Sequence, residues 1–226
     1  VDSPLESGLT NDPLATEFFY PYQTQDFWVY LLHSGDRNAG LGTLDSFFKL
    51  GAATSSVADR LANNGGSLLL FKSLGEEYWS WVKNQVMEKT VPLEAVPPGD
   101  SLANPCQLEY ALIGRKETDA ADISWPASSE ARVDLGHLQA KLIKIEFTKP
   151  ASFVTVFAEN AGAPDGFAYK VYLKGETDCA NPAVVPENLR KFNSLPKGAV
   201  IYVVLANIES EGAVPPFYRV LVTSPR

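Results

Sequence analysis

The run Ala199-Val200-Ile201-Tyr202-Val203-Val204-Leu205-Ala206 places eight apolar residues between Gly198 and Asn207. It is too short to cross a membrane as a helix. Its enrichment in valine, isoleucine and tyrosine favours a β-strand. Because a strand that is apolar on both faces must be covered on both faces, the run predicts a central strand of a packed sheet.

The segments around this run alternate between apolar and polar residues, which is the pattern of strands with one buried face. Residues 143–147, 167–174 and 218–222 show it most clearly. Clusters of proline and glycine separate the runs, and such residues end strands. Five short strands at this spacing predict an antiparallel β-sandwich or barrel.

The N-terminal part has a different pattern. Apolar residues at three- and four-residue spacing predict helices over residues 44–61 and 73–89. The expected fold class is therefore α+β, with about two helices before the sandwich or barrel. We divide the chain into an extended arm (1–21), a mainly helical region (22–90), a proline-rich linker (91–105) and a β-rich domain (106–226).

The composition limits the classes of partner. A net charge of −8 without any basic run argues against nucleic acid and against anionic membranes, and no segment predicts membrane insertion. The chain begins at Val1 rather than methionine, and we expect a product processed from a precursor, either secreted or on a particle surface. In such an oxidising setting Cys106 and Cys179 are expected to form a disulfide, the alternative being two separate thiols.

Catalytic motifs are scarce. The two histidines, His33 and His137, lie in no zinc-binding spacing, and no serine-nucleophile elbow or glycine-rich phosphate loop is present. We therefore predict no metal, no cofactor and no catalytic residue. Pairs of carboxylates leave one enzymatic alternative, a secreted hydrolase acting on polysaccharide. These pairs are Glu76/Glu77, Asp119/Asp122, Glu130/Asp134 and Glu159/Asp165.

Aromatic residues are the candidate binding groups. The chain contains nine tyrosines and four tryptophans, namely Trp28, Trp79, Trp81 and Trp125. Such side chains stack on sugar rings or anchor protein interfaces. Packing inside the core is the alternative role. Together with the aromatic arm, they favour a non-enzymatic binding or structural (assembly) protein. Its expected partners are protein or carbohydrate surfaces, including further copies of the chain.

Overall fold

The computed structural model describes residues 73–83, 120–160, 166–174, 189–209 and 217–225. Strands make up 58% of these residues and one helix makes up 11%, so the predicted α+β class is wrong for the part of the chain described: it is mostly β. The strong alternation of the C-terminal part dominates the fold, and only one of the two predicted helices falls within the described ranges. The predicted helix over 44–61, the arm and the linker lie outside them.

Within these ranges eight strands form two four-stranded sheets. Sheet I has the strand order β1-β3-β7-β5, and sheet II has the order β2-β8-β4-β6. The strands are β1 (Ile123–Trp125), β2 (Glu130–Val133), β3 (Gln139–Phe147), β4 (Ala151–Asn160), β5 (Phe167–Leu173), β6 (Arg190–Leu195), β7 (Val200–Asn207) and β8 (Tyr218–Thr223).

The connections follow a jelly-roll pattern. From β3 to β8 each strand lies in the sheet opposite to its predecessor, with β7 between β3 and β5 and β8 between β2 and β4. This nesting of late strands between earlier ones is the double Greek key of the jelly roll. The predicted central position of the 199–206 run is confirmed, and the predicted sandwich is confirmed in its two-sheet form. The short β1 differs from the expectation, because it pairs with β3 in parallel.

The core lies between the two sheets. Alternate residues of β7, namely Ile201, Val203 and Leu205, point into it and are fully buried. Sheet II contributes Val156 and Val220 to the same cluster. The other residues of β7 therefore face outward from sheet I, because successive side chains of a strand point to opposite faces.

The centre of this outer face of sheet I is also buried. Tyr202 and its cross-strand neighbour Tyr172 are each 1% exposed, although neither belongs to the core between the sheets. Lys170 is buried beside them, with its Nζ 5.3 Å from the centroid of the Tyr172 ring. Both faces of β7 are therefore buried, which explains why its sequence is apolar at every position from Val200 to Ala206.

The helix α1 (Leu74–Lys83) packs near the end of β7. A capping box begins it: the Ser73 backbone N–H donates to Glu76 Oε2 (2.8 Å) and the Glu76 N–H donates to Ser73 Oγ (3.2 Å). The prediction of a helix from residue 73 is confirmed as far as Lys83, and residues 84–89 lie outside the described ranges. In the described part of the chain no helix is long and apolar enough for a membrane span.

Candidate binding surface

The outer face of sheet II is partly open to solvent across its centre, where the outer face of sheet I is buried. Phe157, Glu159, Arg219 and Leu221 lie on it and are half buried, and Arg132 is exposed. These residues alternate with core residues along β2, β4 and β8, so their side chains form one continuous surface. The sheet therefore presents apolar and charged groups side by side to solvent.

An arginine–phenylalanine cluster occupies one end of this face. Arg132 and Arg219 are direct cross-strand neighbours, and their guanidinium carbons lie 4.9 and 5.9 Å from the centroid of the Phe217 ring. Glu130 Oε1 lies 2.9 Å from Arg132 Nε, and Glu159 pairs with Arg219. The two carboxylates and the ring face offset the repulsion between the two arginines.

These ion pairs hold the cluster only loosely. The side chains of Arg219 and Glu159 are 35% and 38% exposed, and that of Arg132 is 66% exposed. Ion pairs at such exposure contribute about 0–1 kcal/mol to stability. The guanidinium groups can consequently exchange their present partners for groups of a bound molecule at little cost to the fold.

A second surface lies at the β6 edge of the same sheet. Within the described ranges, the large apolar side chains that are exposed are Phe153, at 67%, and Leu189, at 40%. Both belong to this edge: Leu189 immediately precedes β6, and Phe153 lies on β4 between residues that pair with Ser194 and Phe192 of β6. We refer to Phe153, Leu189, Lys191 and Lys197 together as the β6 edge.

The backbone of Phe153 is strained. Its φ is 52°, in the left-handed region, which bulky residues rarely adopt and which costs about 1–3 kcal/mol. The strand changes phase at this point, since Ala151 and Val154 are both buried while the two residues between them are exposed. Continued back from Val154 and Val156, the alternation of β4 places the phenyl ring on the outer face, and the left-handed residue marks the point where the strand changes phase so that Ala151 returns to the core.

The β6 edge is basic within an acidic chain. Residues 188–198 contain Arg190, Lys191 and Lys197 and no acidic residue. Lys191 and Lys197 are exposed, whereas Arg190 is half buried and its Nη1 donates to the Val171 carbonyl (3.3 Å). The edge therefore combines exposed apolar side chains with an excess of positive charge.

The structure places three of the four candidate tryptophans. Trp79 and Trp81 are buried on α1, and Trp125 is half buried with its ring centroid 5.6 Å from that of Phe147. It therefore does not bring these three together into one exposed platform. Trp28 lies outside the described residues, as do both cysteines, so the proposed stacking role and the disulfide stay predictions.

Four of the described candidate carboxylates have structural contacts. Glu76 caps α1, Asp122 Oδ2 accepts the Lys144 backbone N–H (2.8 Å), and Glu130 and Glu159 pair with arginines as described above. Asp119 and Asp165 lie outside the described ranges, and the hydrolase alternative stays an untested prediction. Among the described residues no group of three histidine, cysteine or acidic side chains is arranged to hold a metal ion.

Sequence reasoning missed the β6 edge. The charge distribution could have indicated it, since residues 188–198 carry only basic charges whereas the net charge of the whole chain is negative. The exposure of Phe153 had no such signal, because an isolated phenylalanine within an apolar segment predicts a core position. No protein-family model and no curated protein matches this chain.

Proposed function

We propose that this chain is a non-enzymatic structural protein that binds protein surfaces, including those of further copies of itself, in a secreted or particle-surface setting. The observation that carries the proposal is the contrast between the outer faces of the two sheets. At the centre of sheet I the residues that face away from the core, among them Tyr172, Tyr202 and Val204, are buried, whereas sheet II presents half-buried Phe157 and Leu221 beside arginines and glutamates. Apolar groups with a charged rim are typical of protein interfaces.

The composition of the open face supports protein rather than nucleic acid as the partner. Its two arginines are matched by Glu130 and Glu159, and the chain as a whole carries a charge of −8. A nucleic-acid surface needs an excess of basic groups to displace counterions. Arginine and aromatic side chains, by contrast, are enriched at protein–protein contacts.

The strand topology agrees with this role but does not define it. Jelly rolls occur in viral capsid proteins and in lectins, both of which act by binding and assembly. A fold is nevertheless compatible with many functions, and it is the exposed surface of sheet II, not the topology, that supports the binding role.

The test is the molar mass of the purified full-length chain, measured by size-exclusion chromatography with light scattering over about a hundredfold range of concentration. We expect the mass to rise with concentration and Leu221→Asn to reduce the rise. Thr223→Asn, an exposed residue on the same face of β8, is the matched control and should leave it unchanged. A chain that stays monomeric throughout would contradict the proposed self-association.

A further inference from the structure

We propose that the β6 edge binds the acidic N-terminal segment, residues 1–22, of a second copy of this chain. The inference rests on the proposed function, because it names the contact through which copies associate. Its first support is the pairing of exposure and strain at one residue. Phe153 combines a left-handed backbone with a ring that is 67% exposed.

Leu138, the other described non-glycine residue with a positive φ, has different surroundings from Phe153. Leu138 has φ 48° and is fully buried, and its backbone N–H donates to the Glu209 carbonyl (3.2 Å). Packing and a hydrogen bond hold Leu138 in its conformation. Phe153 is strained without burying its ring, so its ring is available for contact with another molecule.

Charge complementarity identifies the occupant. Residues 1–22 contain Asp2, Glu6, Asp12 and Glu17 and no lysine or arginine. The β6 edge offers the opposite charge through Lys191 and Lys197. The same segment carries aromatic residues at positions 18–20 and 22, which are suited to contact with Phe153 and Leu189.

The proposed self-association supplies the occupant from another copy. In the single chain Phe153 and Leu189 remain 67% and 40% exposed. In the self-association proposed above, the N-terminal segment of a neighbouring copy would cover them. Exchange of an arm between identical subunits closes an oligomer without any additional partner.

Charge reversal in the full-length chain tests the contact. We expect Lys191→Glu with Lys197→Glu to weaken self-association by about tenfold or more, measured by sedimentation velocity. Asp12→Lys with Glu17→Lys should weaken it similarly, and all four substitutions in one chain should restore it. The matched control is Lys141→Glu with Lys174→Glu, which makes the same charge change at exposed lysines of β3 and at the end of β5.

Phe153→Gly separates binding from folding. Glycine adopts the left-handed conformation without strain, so the variant should unfold at the same temperature as the parent chain or higher while associating about tenfold more weakly. A purely structural Phe153 would instead give a less stable protein. A loss of stability with unchanged association would overturn the assignment.

The outcomes distinguish this inference from the proposed function. If the full-length chain self-associates but neither the edge variants nor the arm variants weaken it, the β6 edge is not the contact and the proposed function stands. If the four-substitution chain fails to recover association, the pairing of these charges is wrong. A parent chain that is monomeric at every concentration overturns both.

Discussion

Gly166 and Gly198 share a backbone conformation but differ in their surroundings. Their φ values are 80° and 85°, so a side chain at either position costs about 1–2 kcal/mol. A Cβ at Gly166 would lie 2.1 Å from Glu209 Cγ, whereas a Cβ at Gly198 has nothing within 4 Å. We expect Gly166→Ala to destabilise the protein more than Gly198→Ala in chemical denaturation. Adding Glu209→Ala should remove the difference, and an equal loss at both sites without it would contradict the crowding.

Tyr218 should make stability fall at alkaline pH. Burial, and to a smaller extent the charge of Glu209, raise its pKa from 10 to about 12. The folded chain therefore keeps this proton where the unfolded chain loses it. The resulting stability is complete below pH 10 and is lost as the pH rises toward 12, by up to about 2–3 kcal/mol.

Tyr218→Phe should flatten part of this decline, measured by urea denaturation at intervals above pH 9. Some dependence will remain, because burial also raises the pKa of Tyr78 and of Tyr169. Glu209→Gln should give a smaller effect in the same direction, since its charge is the lesser cause. A variant without Tyr218 that keeps the full slope would exclude this residue as the source.

At the scale of single elements, α1 contacts the end of β7 through Gly75, which has no side chain. A Cβ at Gly75 would lie 2.1 Å from the Ile208 carbonyl oxygen, a backbone atom at the end of β7. In an unconstrained helix Gly→Ala stabilises by about 1 kcal/mol. Here we expect Gly75→Ala to destabilise by about 1–3 kcal/mol, because helix and strand must separate.

Thermal unfolding followed by tryptophan fluorescence checks this prediction, since Trp79 and Trp81 lie on the helix. Ser80→Ala on the same helix is the control, and it should change stability little. Stabilisation by Gly75→Ala would mean that α1 is not held against β7.

The strands differ in how well sequence predicts them, and the reason is physical. The β7 run was predictable because both of its faces are buried, which leaves an uninterrupted apolar segment. β6 was missed because its buried residues, Phe192 and Leu195, are three apart and break the period of two. No local pattern indicated that β1 pairs with β3 in parallel. A strand of three residues is too short to specify its neighbour, so packing between distant segments decides the pairing.

The features of the candidate sites also differ in how well the sequence predicts them. Charge is local in sequence, so the basic character of residues 188–198 was there to be found. The left-handed backbone of Phe153 is one that its residue type disfavours, and the burial of Trp79 and Trp81 depends on packing between distant segments. Neither can be derived from residue type and spacing alone.

On the scale of the whole molecule, the two sheets differ in role. The outer face of sheet I contributes to stability by burial, whereas the outer face of sheet II is available for binding. Leu142, Tyr172, Tyr202 and Val204 of sheet I are at most 1% exposed on the side away from the core. They must be covered by residues outside the two sheets, and α1 is the described element that packs against β7. The β-rich part should accordingly depend on the N-terminal half of the chain, even though the proline-rich linker suggests a boundary between two domains.

A chain truncated to residues 106–226 tests this dependence. Without α1, the outer face of sheet I loses the described helix that packs against β7, and we expect its tyrosines to become more exposed. We expect the fragment to bind a hydrophobic dye such as ANS and to unfold at a lower denaturant concentration than the full chain. Substituting Tyr202→Thr and Val204→Thr in the fragment should reduce dye binding, because it makes the uncovered face more polar. Equal midpoints and no dye binding would instead establish residues 106–226 as an autonomous domain, and the cover over sheet I would then contribute nothing to its stability.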